Sequence, residues 1–505
     1  MLKTIQVSGS SAVGKTAVIK SLLPQLQSRG EAACVAKIDC LHSDDGEIYS
    51  ALGIPCVVGL SEDICPDHFL VSNLCELWQW ASEQQAQTLI IETAGLCHRC
   101  SPATVKTVSI CVVDCTASSH APMQLGPMLS LADIIILTKI DLVSQAEREI
   151  ISASVVALNP KARLFAVDGL VGYGIEPLAE HLCSLPATES YEGDYLRFTM
   201  PSGVCSYCVG EQRVGSAWQQ GAINKIDFTS RSAKNGVVET DADDAGLQAA
   251  TKAAGGEGGA TPEKPLLSQG FEFLEVCPGH DKDGKPENFA VLTLRIGELY
   301  TIVGNTGAGK SRLIKDIEQL VKGDSATGRE IRINGKVTAS EQRPLLAANL
   351  IAHLSQNMRF SLDLSVEAFV QRHLQVRGRD RSLLKQVIEL ANRITSEPLS
   401  GASSLHELSG GQGRALMIAD IALVCDSPIV LIDEIENAGI NKEIALSILT
   451  DRRKLVLIAT HDIQTALMAQ RRIVLGNGAL VDVVERKSEE AAYYQELQAR
   501  SRCQD

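Results

Sequence analysis

The fold is decided by Ile5-Gln6-Val7-Ser8-Gly9-Ser10-Ser11-Ala12-Val13-Gly14-Lys15-Thr16. A short apolar strand runs into a loop bounded by Gly9 and Gly14 and closed by Lys15 and Thr16, and residues 17–26 continue at helical spacing. Strand, glycine loop and helix in this order make a phosphate cradle. Backbone N–H groups point at the anion, Lys15 adds a point charge, and Thr16 presents a hydroxyl suited to Mg²⁺.

The pattern occurs twice. Leu299-Tyr300-Thr301-Ile302-Val303 leads into Gly304-Asn305-Thr306-Gly307-Ala308-Gly309-Lys310-Ser311, with a helix expected over 312–320. The chain has 505 residues, too many for one hydrophobic core. The expected fold class is therefore α/β, with two P-loop domains joined by a small Cys-containing, β-rich segment and a flexible linker. Expected limits are 1–188 and 268–487 for the nucleotide-sized domains, 189–229 for the small segment, 230–267 for the linker and 488–505 for a polar tail, as helix or frayed chain.

The bulk numbers narrow the function. A formal charge of -14, without a Lys/Arg cluster interleaved with aromatics, argues against a nucleic-acid surface. No apolar run approaches the ~18 residues of a membrane span. We therefore expect no direct membrane insertion, and because Met1 lies so close to the first strand, a cytoplasmic location. The fifteen cysteines then read as reduced thiols or metal ligands, with Cys34, Cys111, Cys115 and Cys425 in apolar runs as small core residues.

Between the two loops lie further chemical signals. Thr88-Leu89-Ile90-Ile91 reaches Glu92-Thr93-Ala94-Gly95, a carboxylate and a glycine at a strand end, where a loop can sense a terminal phosphate. Cys97 and Cys100 follow at metal-ligand spacing, yet two thiolates leave zinc, nickel or an iron-sulfur cluster under-ligated. Cys205 and Cys208 form a second Cys-x-x-Cys on a glycine-flanked turn, after a strand expected over 195–200. The four thiolates are expected to share one site, within a chain or across a dimer, with a separate zinc knuckle as the competing reading. The strand 132–137 ends in Thr138-Lys139-Ile140-Asp141, where a carboxylate can accept two hydrogen bonds from guanine that adenine cannot offer.

These residues resemble the metallochaperone GTPases, which include the nickel-insertion GTPases of hydrogenase and urease and the cobalamin-synthesis type. Glu92-Thr93-Ala94-Gly95, Thr138-Lys139-Ile140-Asp141 and the stretch from Asn159-Pro160 to Gly174 carry the resemblance. It implies GTP and Mg²⁺ at Gly9, Gly14, Lys15, Thr16, Glu92, Gly95, Thr138, Lys139 and Asp141. Asp39 becomes the Mg²⁺ or water-positioning carboxylate, and Asp168-Gly169 flank the guanine. Cys65-Pro66-Asp67-His68 is similar to the urease member's Cys-Pro-His with one inserted residue, making Cys65 and His68 candidate metal ligands.

The second half resembles the ATP-binding cassette family through four motifs: the loop 304–311, Leu408-Ser409-Gly410-Gly411-Gln412, Pro428-Ile429-Val430-Leu431-Ile432-Asp433-Glu434, and the strand ending in Thr460-His461-Asp462. The resemblance implies ATP held by Gly304, Gly307, Gly309 and Lys310, and Mg²⁺ organised by Ser311, Gln356 and Asp433. Glu434 would be the general base and His461 the γ-phosphate contact. Ser409, Gly410, Gly411 and Gln412 would grip a γ-phosphate bound in another subunit, which implies a homodimer. One departure is that Asn437-Ala438-Gly439-Ile440 lacks the Asp usual after Glu434.

Together the resemblances imply a dual NTPase that assists maturation, metal insertion or reactivation of a client metalloenzyme or its accessory protein. The metal would be nickel, zinc or cobalt, or an iron-sulfur cluster. Two other readings are an ATPase subunit energising a metal-uptake transporter, and a thiol-based redox or metal-responsive regulatory NTPase.

Overall fold

The structure, a computed structural model, describes residues 2–95, 101–169, 172–198, 211–215, 218, 225–228, 270–340, 342–356, 358–435 and 439–501. The linker expected over 230–267 lies outside the described residues.

The first domain alternates strand and helix. It opens with β1 (Lys3–Ser8), α1 (Lys15–Gln27), β2 (Ala33–Asp39), α2 (Asp45–Ala51), β3 (Cys56–Leu60), α3 (Pro66–Glu83) and β4 (Thr88–Glu92). It continues with β5 (Val108–Asp114), α4 (Ala121–Gln124), α5 (Pro127–Ser130), β6 (Ile134–Thr138), α6 (Gln145–Leu158), β7 (Arg163–Ala166) and α7 (Ile175–Ser184). The strands form one parallel sheet in the order β3-β2-β4-β1-β5-β6-β7. Helices on both faces explain why β1, β4 and β6 are buried along their whole length. Parallel order brings the carboxyl ends of β1, β2, β4 and β6 to one edge, where ligands of such sheets bind.

The chain after residue 188 packs on this domain. Tyr191, Leu196, Val214 and Ile226 join Leu2, Phe69 and Leu89 in one buried cluster. Of the strand expected over 195–200, the described residues form only isolated bridges, Leu196 with Thr104 and Tyr195 with Arg213. Arg197 then anchors the segment through the Thr104 and Thr107 carbonyls and Asp133.

The second domain begins with β8 (Phe273–Cys277), β9 (Leu292–Arg295), β10 (Leu299–Val303), α8 (Lys310–Glu318), β11 (Glu330–Ile333), β12 (Lys336–Val337), α9 (Arg343–Leu350) and β13 (Ile351–Leu354). Then come α10 (Val366–Val376), α11 (Leu383–Ile394), α12 (Gly410–Leu423), β14 (Ile429–Asp433), α13 (Lys442–Asp451) and β15 (Leu455–Ala459). It closes with α14 (Ile463–Met468), β16 (Arg471–Gly476), β17 (Ala479–Glu485) and α15 (Ser488–Ser501), so the described part of the tail is helical. Its main sheet has the order β13-β14-β15-β10-β16-β17, and an antiparallel sheet β12-β11-β8-β9 lies beside it. No helix among the described residues is long and apolar enough to cross a membrane.

The halves share packing. Ala146, Ile150 and Ile151 of α6 belong to the same buried cluster as Leu362, Phe369 and Met417 of the second domain.

Candidate functional site

At the first site the glycine loop leaves β1 and α1 starts directly after Gly14, whose left-handed φ of 96° turns the loop into the helix. Lys15 Nζ donates to the Gly9 and Ser10 carbonyls at 3.0 and 2.8 Å, so the loop curls around the ammonium. Burial pushes the Lys15 pKa down to about 8, with Glu92 pulling the other way. Gly95 is sterically required, because a Cβ there would stand 2.0 Å from the Gly9 carbonyl oxygen and 2.8 Å from Lys15 Nζ.

Glu92 is the hub. One carboxylate oxygen accepts from Thr16 Oγ1 at 2.7 Å and from Lys37 Nζ at 2.8 Å, and the other accepts from Tyr49 Oη at 2.8 Å. Lys37 also pairs with Asp45 at 2.7 Å. Burial works against the Lys37 charge, but Glu92 and Asp45 outweigh it and hold its pKa above the ordinary value. Burial, reinforced by Glu92, keeps the Tyr49 phenol protonated and donating. Lys37, Asp45 and Tyr49 were missed by motif reading. The only trace in the sequence is a Lys two positions before Asp39 in an otherwise apolar strand. Asp39 ends β2, which pairs with β4 so that Lys37 lies opposite Glu92. Thr16, Asp39 and Glu92 supply hard oxygens, the donor set that suits Mg²⁺.

The base end is built by β6 and β7. Thr138 Oγ1 donates to the Val13 carbonyl at 2.7 Å, and Lys139 Nζ reaches Asp114 at 2.6 Å and the Ala12 carbonyl at 3.0 Å. Lys139 is held at a φ of 55°. Asp141 and Asp168 line one narrow cleft with Arg148 and with Lys315 and Glu318 of α8. Burial, then Asp168, raises the pKa of Asp141.

At the second site Lys310 Nζ donates to the Gly304 carbonyl at 2.7 Å, and Ser311 stands in the first turn of α8 with Gly307 and Gly309 in the loop before it. Asp433 ends β14. Gln356 Nε2 donates to Glu434 Oε2 at 2.6 Å, and His461 Nδ1 lies 3.5 Å from Glu434 Oε1. Glu434 sits at a φ of 51°, a conformation costly for a non-glycine residue and retained where surroundings impose it. Arg414 is part of that imposition, donating to the carbonyls of Glu434, Ser355 and Gln356. Its role was hidden in the sequence, because an Arg on a helix face reads as solvated. Ser409 caps α12 in a reciprocal box with Gln412, leaving the N–H groups of Gly410 and Gly411 at the helix start. A cleft of about 320 Å³ opens beside Ser409, Gly410 and Arg414. Residues 436–438 lie outside the described residues.

The proposed metal ligands divide. Cys97, Cys100, Cys205 and Cys208 lie outside the described residues. Cys65 stands at the N-terminus of α3, and His68 is buried in its first turn. Among the described residues no group of three or more His, Cys, Asp or Glu is placed to hold a metal ion. Cys34, Cys111, Cys115 and Cys425 are buried, and burial raises the pKa of each thiol.

Comparison with known proteins agrees with both geometries. Residues 3–166 match the CobW/HypB/UreG nucleotide-binding domain model, and residues 289–437 match the ABC transporter model. An uncharacterized protein of Methanocaldococcus jannaschii is 42% identical over 226 residues, covering 45% of this chain and 97% of its own. An uncharacterized ABC transporter ATP-binding protein of the same organism is 49% identical over 218 residues, covering 43% of this chain and 84% of its own. Among solved structures, cbiO1 from Clostridium perfringens, part of the ABC transporter complex cbiONQ, is 20% identical. It covers 46% of this chain and 96% of that chain, with a TM-score of 0.37. By these matches the chain carries a CobW/HypB/UreG nucleotide-binding domain in its first half and belongs, through its second, to the ABC transporter ATP-binding family.

Proposed function

We propose that this protein hydrolyses GTP at its first site and ATP at its second, and uses the two cycles to deliver or reinstate a metal centre in a client metalloenzyme. The observation that carries the reading is the Glu92 hub. The carboxylate bonded to the P-loop Thr16 stands five residues before Cys97 and eight before Cys100 in the sequence, so a change at the phosphate end has a short covalent path to the paired thiols.

At the second site Glu434 takes the proton of the attacking water as its oxygen bonds to the γ-phosphorus. The bond to the β–γ bridging oxygen breaks, and ADP and phosphate leave. Ser311 and Asp433 would hold Mg²⁺, which would supply charge neutralisation on the phosphates, while Gln356 and His461 orient Glu434. At the first site Asp141, with Asp168 beside it, selects guanine. The useful output is the difference in affinity between nucleotide states. The cargo is nickel, cobalt, zinc or an iron-sulfur cluster, and the working form is a homodimer in which Ser409, Gly410 and Gly411 complete the partner's ATP site.

Anaerobic purification followed by metal and sulfide analysis tests the cargo. Metal bound in stoichiometric amount by the native protein, and lost when Cys97, Cys100, Cys205 and Cys208 become Ser, is the expected result. Metal retained in full by that variant removes the thiol site. A transport reading draws on the printed name of the ATP-binding relative. Co-purification with a membrane protein supports it over the metallochaperone reading.

A further inference from the structure

The first turns of α6 touch three working parts of the second site. Gln145 Nε2 donates to the Ala348 carbonyl of α9 at 3.0 Å and to Oγ of Ser427, two residues ahead of the strand that carries Asp433, at 2.8 Å. Glu147 is fully buried. One of its oxygens closes the capping box on Ser144, and the other leaves its own domain to accept the N–H groups of Ser361 at 2.7 Å and Leu362 at 3.1 Å. Ser361 stands five residues after Gln356, the donor to Glu434. Glu149 accepts from Arg377 and pairs with His373, which is bonded to Asp420 of α12, the helix that opens at the Ser409 cap.

The same helix starts from the base end of the first site. Only Leu142 and Val143 separate Asp141 from the Ser144 cap. Arg148 of α6 and Lys315 and Glu318 of α8 wall the cleft that Asp141 and Asp168 face. That cleft holds about 50 Å³. A small-molecule site needs roughly 300 Å³ or more, so a purine entering here must part α6 from α8.

We propose that α6 couples base occupancy at the first site to the hydrolytic geometry of the second, with Glu147 as the positioning residue that transmits it to the Gln356 loop. The inference rests on the guanine and ATP assignments above. A buried carboxylate holding two backbone N–H groups across a domain boundary fixes the register of that loop, because leaving either donor unpaired is costly. When α6 shifts, the loop shifts, and the Gln356–Glu434 bond changes length or angle. Equilibrium coupling is reciprocal, so ATP must alter guanine-nucleotide affinity by the factor with which guanine nucleotide alters ATP affinity.

The test uses the full chain. ATP kcat and KM are measured with and without GDP, and GDP binding is measured separately with a fluorescent analogue. The native protein is expected to bind GDP, and on doing so to change ATP kcat by about fivefold and ATP affinity by a comparable factor. Glu147→Ala is expected to bind GDP as before and to lose the kcat response, while Glu147→Gln, which keeps one acceptor oxygen, retains most of it. Should Glu147→Ala fail to fold, GDP affinity of Glu434→Gln protein with and without saturating ATP gives the reciprocal readout, and a shift is expected. Native protein that binds GDP but shows neither a kcat change nor a reciprocal shift overturns the coupling and leaves the guanine site standing. A Glu147→Ala protein that responds like the native one removes Glu147 from the link. Native protein that binds no GDP overturns the guanine assignment itself, and the coupling with it.

Discussion

The hydroxyl of Thr16 donates to the Glu92 carboxylate at 2.7 Å, joining the residue that would meet Mg²⁺ to a carboxylate five residues before Cys97 in the sequence. Tyr49 and Lys37 complete the shell of that carboxylate. Tyr49→Phe leaves one buried oxygen short of a donor and should cost about 1–3 kcal/mol of first-domain stability. Glu92→Ala leaves a buried Lys37 with Asp45 alone and should cost about 3–5 kcal/mol. All three tryptophans precede residue 219, so urea unfolding followed by tryptophan fluorescence reads the first domain. Unchanged midpoints for both variants contradict the hub.

Lys15 gives a pH signature. Burial holds its pKa down at about 8 without a phosphate to pair with. A bound triphosphate restores the charged form, so binding takes up a proton wherever free Lys15 is neutral. GTP affinity should be level below about pH 7.5 and fall by up to about tenfold per unit above pH 8. Calorimetry at about pH 8.5 in two buffers of different ionisation enthalpy should show proton uptake. Affinity level to about pH 9.5 contradicts the assignment.

His373 predicts how the domain contact titrates. Burial disfavours its charge, but Asp420 and Glu149 outweigh burial and push its pKa up to about 9, with Arg377 nearby on α10 sharing Glu149. The folded value lies above the unfolded ~6.5, so this stabilisation is complete below about pH 6.5 and is lost as pH rises through about 9. Hydrogen exchange, corrected for intrinsic pH dependence, should show α6 and α10 losing protection between about pH 8 and 10. His373→Phe should flatten that change.

Arg329 braces α8, the helix that follows the second phosphate loop. It is fully buried, bonded to both Glu287 oxygens and to Asp316 of α8. Arg329→Met strands two buried carboxylates and should cost about 3–5 kcal/mol, whereas pairing it with Glu287→Gln should recover part of the loss. Thermal unfolding of single and double variants separates these outcomes, and equal melting points for native and single variant contradict the role.

Both phosphate loops were legible because strand, glycine loop and helix are encoded within a dozen residues, and the flanking strands are apolar runs that only a sheet covered on both faces can bury. Thr138-Lys139-Ile140-Asp141 and the Ser409 cap were legible for the same local reason. Lys37, Tyr49 and Arg414 were not, since each acts through a partner distant in sequence. Glu147 is the sharpest case. Its spacing from Ser144 is that of a capping box, a local signal that carries no information about a second domain covering it. Of the strand expected over 195–200, described residues 195–198 form only isolated bridges, because Leu196 turns inward to the first domain's core and Arg197 is taken up by the Thr104 and Thr107 carbonyls.

The central claim is that two different nucleotides are hydrolysed at two sites of one chain, and GTP and ATP turnover by native, Asp141→Asn and Glu434→Gln proteins tests it most directly. Glu434→Gln should lose about 100-fold or more of ATP turnover while GTP turnover stays within about fivefold. Asp141→Asn should lose its guanine preference, gain use of xanthosine triphosphate, and still hydrolyse ATP. If Glu434→Gln lowers GTP and ATP turnover equally, or Asp141→Asn leaves GTP use untouched, the assignment of one nucleotide to each site is wrong.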